Sequence, residues 1–179
     1  EQSRITINSM AAEAQENLAE AMRLLHHYSD EGYRTVVEME QVVDRYEDRL
    51  GSYLVKLTGQ ELTAKQNEDA SKFLHTISDF ERISDHALNL AQTAKEMREK
   101  SIIFSEDATR ELGVLESALA EIVHITVNAF IRNDLAVASR VEPLEELIDD
   151  LCDELKLHHV DRLQKGLCTL GQGFVFNDL

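Results

Sequence analysis

The apolar residues of this chain recur at spacings of three and four along almost its whole length, the period that gathers them on one face of an α-helix. Between Tyr33 and Leu57 the series Val36, Met39, Val43, Tyr46, Leu50, Leu54 and Leu57 keeps that spacing unbroken. The same pattern predicts a first helix over about Ile5–Tyr28, with Leu18, Ala21, Leu24 and Leu25 turned inward. Ser29-Asp30-Glu31-Gly32 reads as a break after it. Thr58-Gly59 closes the second helix with a residue able to take the left-handed C-cap conformation. Thr63-Ala64-Lys65-Gln66 is a capping box that opens a long third helix running to about Lys100. Ser105 offers an N-cap to a fourth, Glu106 to Arg132. That helix is apolar nearly all round (Val114, Leu115, Leu119, Ile122, Val123, Phe130), which predicts a central position. A fifth is expected from Asn133-Asp134 to about Lys165, with Pro143 marking a kink or a late start. Gly166, Gly171 and Gly173 predict a loop, and Phe174 to Leu179 the opening of a sixth helix. Nothing alternates as a strand does, so the expected class is all-α.

A weak internal repeat adds organisation. At an offset of 105 residues, Val36, Met39, Val43, Tyr46 and Leu50 match Val141, Leu144, Ile148, Leu151 and Leu155. Glu40, Asp44 and Asp48 match Glu145, Asp149 and Asp153 at the same offset. Two amphipathic helices can always be slid into apolar register, but three acids in register with five apolar positions is a stronger coincidence. The expected arrangement is two related three-helix units, 1–104 and 105–179, the second incomplete.

Composition narrows the function. With 18 basic against 34 acidic residues the formal charge is −16, which excludes an electrostatic grip on nucleic acid or an anionic membrane. One Pro, seven Gly and no Trp suit helices better than turn-rich sandwiches or barrels. Cys152 and Cys168 are too few for a disulfide scaffold, which favours a reduced, intracellular setting. The apolar runs read as shorter than the ~20 residues that span a bilayer, so no membrane insertion is expected of this segment. There is no signal-peptide pattern, and the chain opens without Met, as a fragment of something larger would.

Three acid pairs stand at i, i+4: Glu40/Asp44, Glu81/Asp85 and Glu145/Asp149. Like charges one turn apart repel by a few tenths of a kcal/mol, so a helix gains nothing from them by itself. Each pair lies at the border of its helix's apolar stripe, where a neighbouring helix could bring two pairs together. Converging carboxylates suit a hard or borderline cation. With 34 acids in the chain some such pairs fall on solvated faces by chance, so spacing alone leaves both readings open. The remaining constellations are weaker. Glu121-x-x-His124 is one copy of a motif that di-iron bundles need twice. His26-His27 and His158-His159 point apart on a helix, as ordinary surface histidines do. Asp79, Glu81, Asp85 and His86 hold acid–base groups without a nucleophile beside them. Gly166–Gly173 lacks the ending of a phosphate-cradling loop.

The run Asp79-Phe80-Glu81-Arg82-Ile83-Ser84-Asp85-His86-Ala87-Leu88-Asn89 closely resembles the signature of the PhoU family of phosphate-uptake regulators. Amphipathicity alone does not produce Glu-Arg-Ile-x-Asp-His-Ala-x-Asn. The resemblance extends to Met10 through Met22 and to Val37-Glu38-Met39-Glu40 through Leu57. Val141 to Lys165, with Gly166-Leu167-Cys168 and Gly173-Phe174, looks most like the PhoU-like tail of bacterial sodium/phosphate cotransporters. The resemblance implies a pair of three-helix bundles and metal clusters, iron or zinc, held by acid-x-x-x-Asp motifs. Carried over, it implies Glu81 and Asp85 as ligands, Glu40 and Asp44 from the facing helix, and Glu145 and Asp149 in the second repeat. The second repeat's counterpart of Glu81 would fall seven residues past Leu179. The function implied is a non-enzymatic regulatory domain at the cytoplasmic face of the cell membrane, with a transmembrane sodium/phosphate transporter domain, of the same parent chain, as its partner. A free-standing PhoU regulator of an ABC phosphate transporter and its sensor kinase is the alternative, and a ferritin-like carboxylate metalloenzyme is a third. Homodimerisation is left open.

Overall fold

In the computed structural model, which describes residues 2–59, 61–169, 171–173 and 175, six helices follow one another. They are α1 (Gln2–His26), α2 (Asp30–Thr58), α3 (Ala64–Lys100), α4 (Glu106–Arg132), α5 (Leu135–Ala138) and α6 (Val141–Gln164). No strand occurs among the described residues, and the all-α class holds.

The helix ends follow from local side-chain chemistry. Ser29, read as part of a break, is the N-cap of α2: its Oγ accepts from the Gly32 N–H at 3.0 Å. Asp30 and Glu31 then sit in the first turn, where carboxylates favour the positive end of the helix dipole. Gly32 is buried, and a Cβ there would lie 2.7 Å from Leu24 Cδ2, so the glycine lets α1 and α2 close at their shared turn. The expected capping box forms: the Thr63 N–H donates to Gln66 Oε1 at 2.9 Å, and the Gln66 N–H donates back to Thr63 Oγ1 at 3.3 Å. Ser105 caps α4 through the Ala108 N–H.

Several expectations are corrected. Gly59 ends α2 with φ −78°, so its left-handed freedom is not used. Asn133 instead takes that conformation, φ 52°, at the end of α4. The single fifth helix is two. Asp134 caps the short α5 by accepting from the Ala136 and Val137 N–H groups, and α6 begins at Val141. Pro143 thus stands in the first turn of α6, where a missing N–H breaks no helical bond, so it marks a late start and not a kink. Residues 171–173 are helical and not loop, because Thr169 and Gln172 form a second capping box. The sixth helix expected at Phe174 to Leu179 falls, apart from buried Val175, outside the described residues. α4 departs from expectation in two ways. Its length and composition suffice to cross a membrane, with a mean hydropathy of 1.5 over an 18-residue stretch, contrary to the sequence reading. Only 17% of that stretch is buried: Leu115, Leu119, Ile122 and Val123 are half-buried and Val114 is exposed. α4 is therefore not an enclosed central helix; its buried positions are Ala108, Leu112, Ile125, Val127 and Ala129.

The chain divides into two compact units, Glu1–Ala91 and Gln92–Leu179, with the division inside α3. In the first, Ile7, Met10, Ala14, Leu24, Val36, Val43, Leu50, Ile77, Phe80 and Ala87 form the core. Small residues on α1 and α3 allow close helix approach. In the second, Ala108, Leu112 and Leu155 pack with Phe104 and Leu115.

Candidate functional site

In the first unit α2 and α3 run antiparallel, and their acids meet along one edge of the core. Ser78 Oγ on α3 donates to Glu47 Oε1 on α2 at 2.6 Å, which sets the register. One to two turns further on, Glu81 lies within electrostatic reach of Glu47 and Asp44, and Glu40 within reach of Asp85. The ladder is thus Glu40, Asp44 and Glu47 on α2 against Asp85, Glu81 and Ser78 on α3. The two acid pairs singled out in the sequence face one another across two helices, as expected.

The electrostatics of this seam are those of charges without a counterion. The Glu81 carboxyl is pushed up to about 7 from its ordinary 4.5, first by burial, then by the charges of Asp85 and Glu47, a hydrogen bond with Asp85, and the charge of Asp44. Glu40 is raised as well, by burial and by Asp44 and Asp85. Every charged neighbour acting on either group is an acid. Glu40, Glu47 and Glu81 are half-buried, while Asp44 and Asp85 are exposed at the rim. The donor set is all carboxylate oxygen, which fits a hard cation. Among the described residues no three His, Cys, Asp or Glu side chains converge closely enough to enclose a metal ion. The seam is a shared field of carboxylates, not a closed coordination shell.

Beneath the acids lies a polar pin absent from the sequence reading. Asn17 of α1 is fully buried (0% exposed), and so is Ser84 of α3 (1%). With its amide turned to satisfy every neighbour, Asn17 accepts from Ser84 Oγ at 2.7 Å and from the Glu40 N–H at 3.3 Å, and donates to the Val36 carbonyl at 3.2 Å. One side chain therefore fixes the backbone that carries Glu40 and the residue before Asp85. A signal for it exists in the sequence: Ile7, Met10, Ala14, Asn17, Ala21 and Leu24 keep helical spacing, as do Ile77, Phe80, Ser84, Ala87 and Ala91. Each stripe has one polar residue in an otherwise apolar row, and the two meet.

The third pair lies in the second unit. Glu145 and Asp149 are exposed on α6, a turn apart, flanking buried Ile148. Glu121 and His124 of the Glu-x-x-His stand apart from any second copy of the motif; Glu121 is exposed, 3.8 Å from Arg140, and His124 contacts Asn128. His158 is exposed, as expected of a surface histidine, and also reaches across to α4. Its Nδ1 lies 2.9 Å from Glu111 Oε1, while Arg162 donates to Glu111 Oε2 at 2.7 Å, so α6 clasps one carboxylate of α4 from two positions. His159 is lowered from its ordinary value, first by burial and then by Arg162. Cys152 and Cys168 are free thiols, half-buried.

Residues 7–94, just under half the chain, match the PhoU domain family. The chain is 22% identical over 161 residues to the phosphate-specific transport system accessory protein PhoU homolog 1 of Thermotoga maritima, covering 89% of this chain and 68% of that protein. It is 28% identical over 150 residues to the phosphate-specific transport system accessory protein PhoU of Edwardsiella tarda, covering 82% of this chain and 59% of that one. The chain thus spans roughly two thirds of these relatives' own lengths. No solved structure matches it. The matched segment contains α2, all of α1 but its first turn and a half, the signature run Asp79–Asn89 and the whole acidic seam, and over residues 7–94 the chain is similar to the PhoU domain family.

Proposed function

We propose that this chain is a PhoU-type regulator of a phosphate transport system, acting by binding and not by catalysis. The observation that carries the reading is that the family match, residues 7–94, takes in every acid of the seam on α2 and α3 and the part of α1 that bears Asn17. Both relatives are named as accessory proteins of phosphate-specific transport, which favours a free-standing regulator of an ABC-type phosphate transporter and its sensor kinase. Its place is then the cytoplasmic face of the cell membrane, with the transporter as partner. A second reading, the regulatory domain of a sodium/phosphate cotransporter, is favoured by the tail running from Val141 through Gly166-Leu167-Cys168. The parent reading frame discriminates, since a long apolar region before Glu1 belongs to the cotransporter reading.

In this proposal the seam holds a cation, iron or zinc, with Glu40, Asp44, Glu81 and Asp85 as its ligands and Glu47 beside them. A bound cation would neutralise the converging charges and tie α2 to α3. Glu145 and Asp149 are the corresponding ligands on α6. Asn17 and Ser84 keep the carboxylate-bearing turns in register. Purified protein should carry metal by elemental analysis, and Glu81→Gln/Asp85→Asn should lose it; equal metal in both would end the seam's role. For the regulatory role, the chain is expressed in a bacterium deleted for its own PhoU protein and labelled phosphate uptake is followed. Restored restraint of uptake at high external phosphate is expected, and uptake identical to the deletion strain would refute it.

A further inference from the structure

On α2 the buried stripe of Val36, Val43 and Leu50 separates two edges of opposite charge. The acids Glu40, Asp44 and Glu47 occupy the edge toward α3. Past the other edge an open cleft of about 360 Å³ is lined by Thr6 of α1 and by Val42, Arg45, Tyr46, Arg49 and Leu50 of α2. Arg45 and Arg49 stand a turn apart, which brings both guanidinium groups to one face. Among the described residues neither side chain takes part in an ion pair or a hydrogen bond, in a chain where acids outnumber bases 34 to 18. Asp44 and Asp48 precede them in sequence, where adjacent residues on a helix do not face one another; Asp48 also stands three residues past Arg45, on the same side of α2, and makes no ion pair with it among the described residues.

The lining defines the ligand. Two guanidinium forks match the oxygens of a phosphoryl group, each able to give two parallel N–H bonds. The Thr6 hydroxyl already donates to the Gln2 carbonyl at 3.2 Å, so the arginines and the Tyr46 phenol are the donors left to a ligand. Val42, Leu50 and the Tyr46 ring make the rest of the wall apolar. A volume of about 360 Å³ sits at the lower end of small-molecule sites and exceeds what a bare tetrahedral anion fills. We propose that this cleft binds a small phosphorylated organic molecule, its phosphoryl group on Arg45 and Arg49 and its carbon skeleton against Val42, Tyr46 and Leu50. The site shares no residue with the acidic seam and does not rest on a metal there.

Isothermal titration of the full chain with phenyl phosphate, inorganic phosphate and phenol, all in EDTA, tests the proposal. The chelator removes any anion binding through a cation on the acidic seam, so failure here and failure of the metal reading are separable. Phenyl phosphate should bind at least tenfold more tightly than either fragment. Arg45→Gln/Arg49→Gln should lose at least tenfold, about 1.4 kcal/mol, while Arg34→Gln/Arg82→Gln, two arginines removed elsewhere in the same unit, should keep the affinity. Unchanged melting curves establish that both variants fold, as expected for side chains outside the core. Co-sedimentation with phosphatidic acid vesicles probes the lipid source of the same chemistry, and none is expected. Any one of four results overturns the proposal: no binding of phenyl phosphate, undiminished binding by the double variant, equal affinity for phenyl phosphate and inorganic phosphate, or vesicle binding that depends on the arginine pair.

Discussion

The seam makes its sharpest prediction through Glu81. Its carboxyl is pushed up to about 7 by burial and by neighbouring carboxylates, so the folded protein holds that proton more tightly than the unfolded chain does. Between about pH 4.5 and 7 the native state therefore binds more protons than the unfolded state, and stability falls as pH rises through that window. Below the window Glu81 is protonated in both states and costs nothing; above it the full cost of the ionised group is present. For a fully buried group a rise from 4.5 to about 7 amounts to roughly 3 kcal/mol. Glu81 is only half-buried, and solvent screening brings the expected cost down to about 1 kcal/mol.

Glu81→Gln keeps the shape and removes the charge. In EDTA at pH 8 it should stabilise the protein by about 1 kcal/mol, a rise in Tm of about 2–4 °C for a chain of this size. At pH 4 the gain should vanish. Added salt should shrink it at pH 8, because the repulsion is partly solvent-exposed. With excess manganese, iron or zinc the sign should reverse, since a cation at a hundredfold over its Kd stabilises the wild type by about 2.7 kcal/mol and the variant less. Thermal melts of both proteins at several pH values, with and without chelator, read all of this. A Tm difference that does not change from pH 4 to pH 8 would refute the electrostatic account of the seam, whatever the metal does.

Further outcomes follow from the packing. Asn17→Ala removes a buried amide bonded to Ser84 and to the α2 backbone, and should cost about 2–3 kcal/mol by urea denaturation; a cost under about half a kcal/mol would show that the pin is idle. Glu111→Gln leaves the largely buried Arg162 without its carboxylate and should cost about 2 kcal/mol, again by denaturation; a neutral result would mean that α4 and α6 are held by apolar packing alone. Gly113 lies inside α4, and a Cβ added there would meet nothing within 4 Å, so Gly113→Ala should raise stability by about 0.5–1 kcal/mol. Gly32→Ala, which places a Cβ 2.7 Å from Leu24, should lower it by about 1 kcal/mol or more.

Much of the molecule is legible in its sequence because it is built from periodic helices with explicit caps. Ser105 and the Thr63–Gln66 box mark their helix starts in sequence and in space alike. Where the two differ, the causes are specific. Asp30-Glu31-Gly32 reads as a break because a glycine in a polar run usually is one, whereas here it is the first turn of a helix that must approach Leu24 closely. Hydrophobicity draws the inward row of α1 through Leu18 and Leu25, but the buried line runs through Asn17. There the helical period is a better guide than polarity, and the residue that organises the seam is hidden by its own amide. α4 reads as central because it is apolar all round, yet composition states what a helix could bury and not what lies against it.

The chemistry of α2 shows why net charge is a poor guide to local function. A total of −16 argues against any anion site if the charge is imagined as spread evenly. A helix instead sorts its residues by angle: Glu40, Asp44 and Glu47 fall on one side of the buried stripe, and Arg45 and Arg49 on the other. Because i and i+4 share a face while i and i+1 do not, Asp44 and Arg45 are neighbours in sequence and belong to different surfaces. One helix can thus carry a carboxylate edge and an arginine pair on opposite sides of the apolar row Val36, Val43 and Leu50. The separation follows from the 3.6-residue turn, and it is what places acidic and basic side chains on different edges within a segment ten residues long, from Glu40 to Arg49.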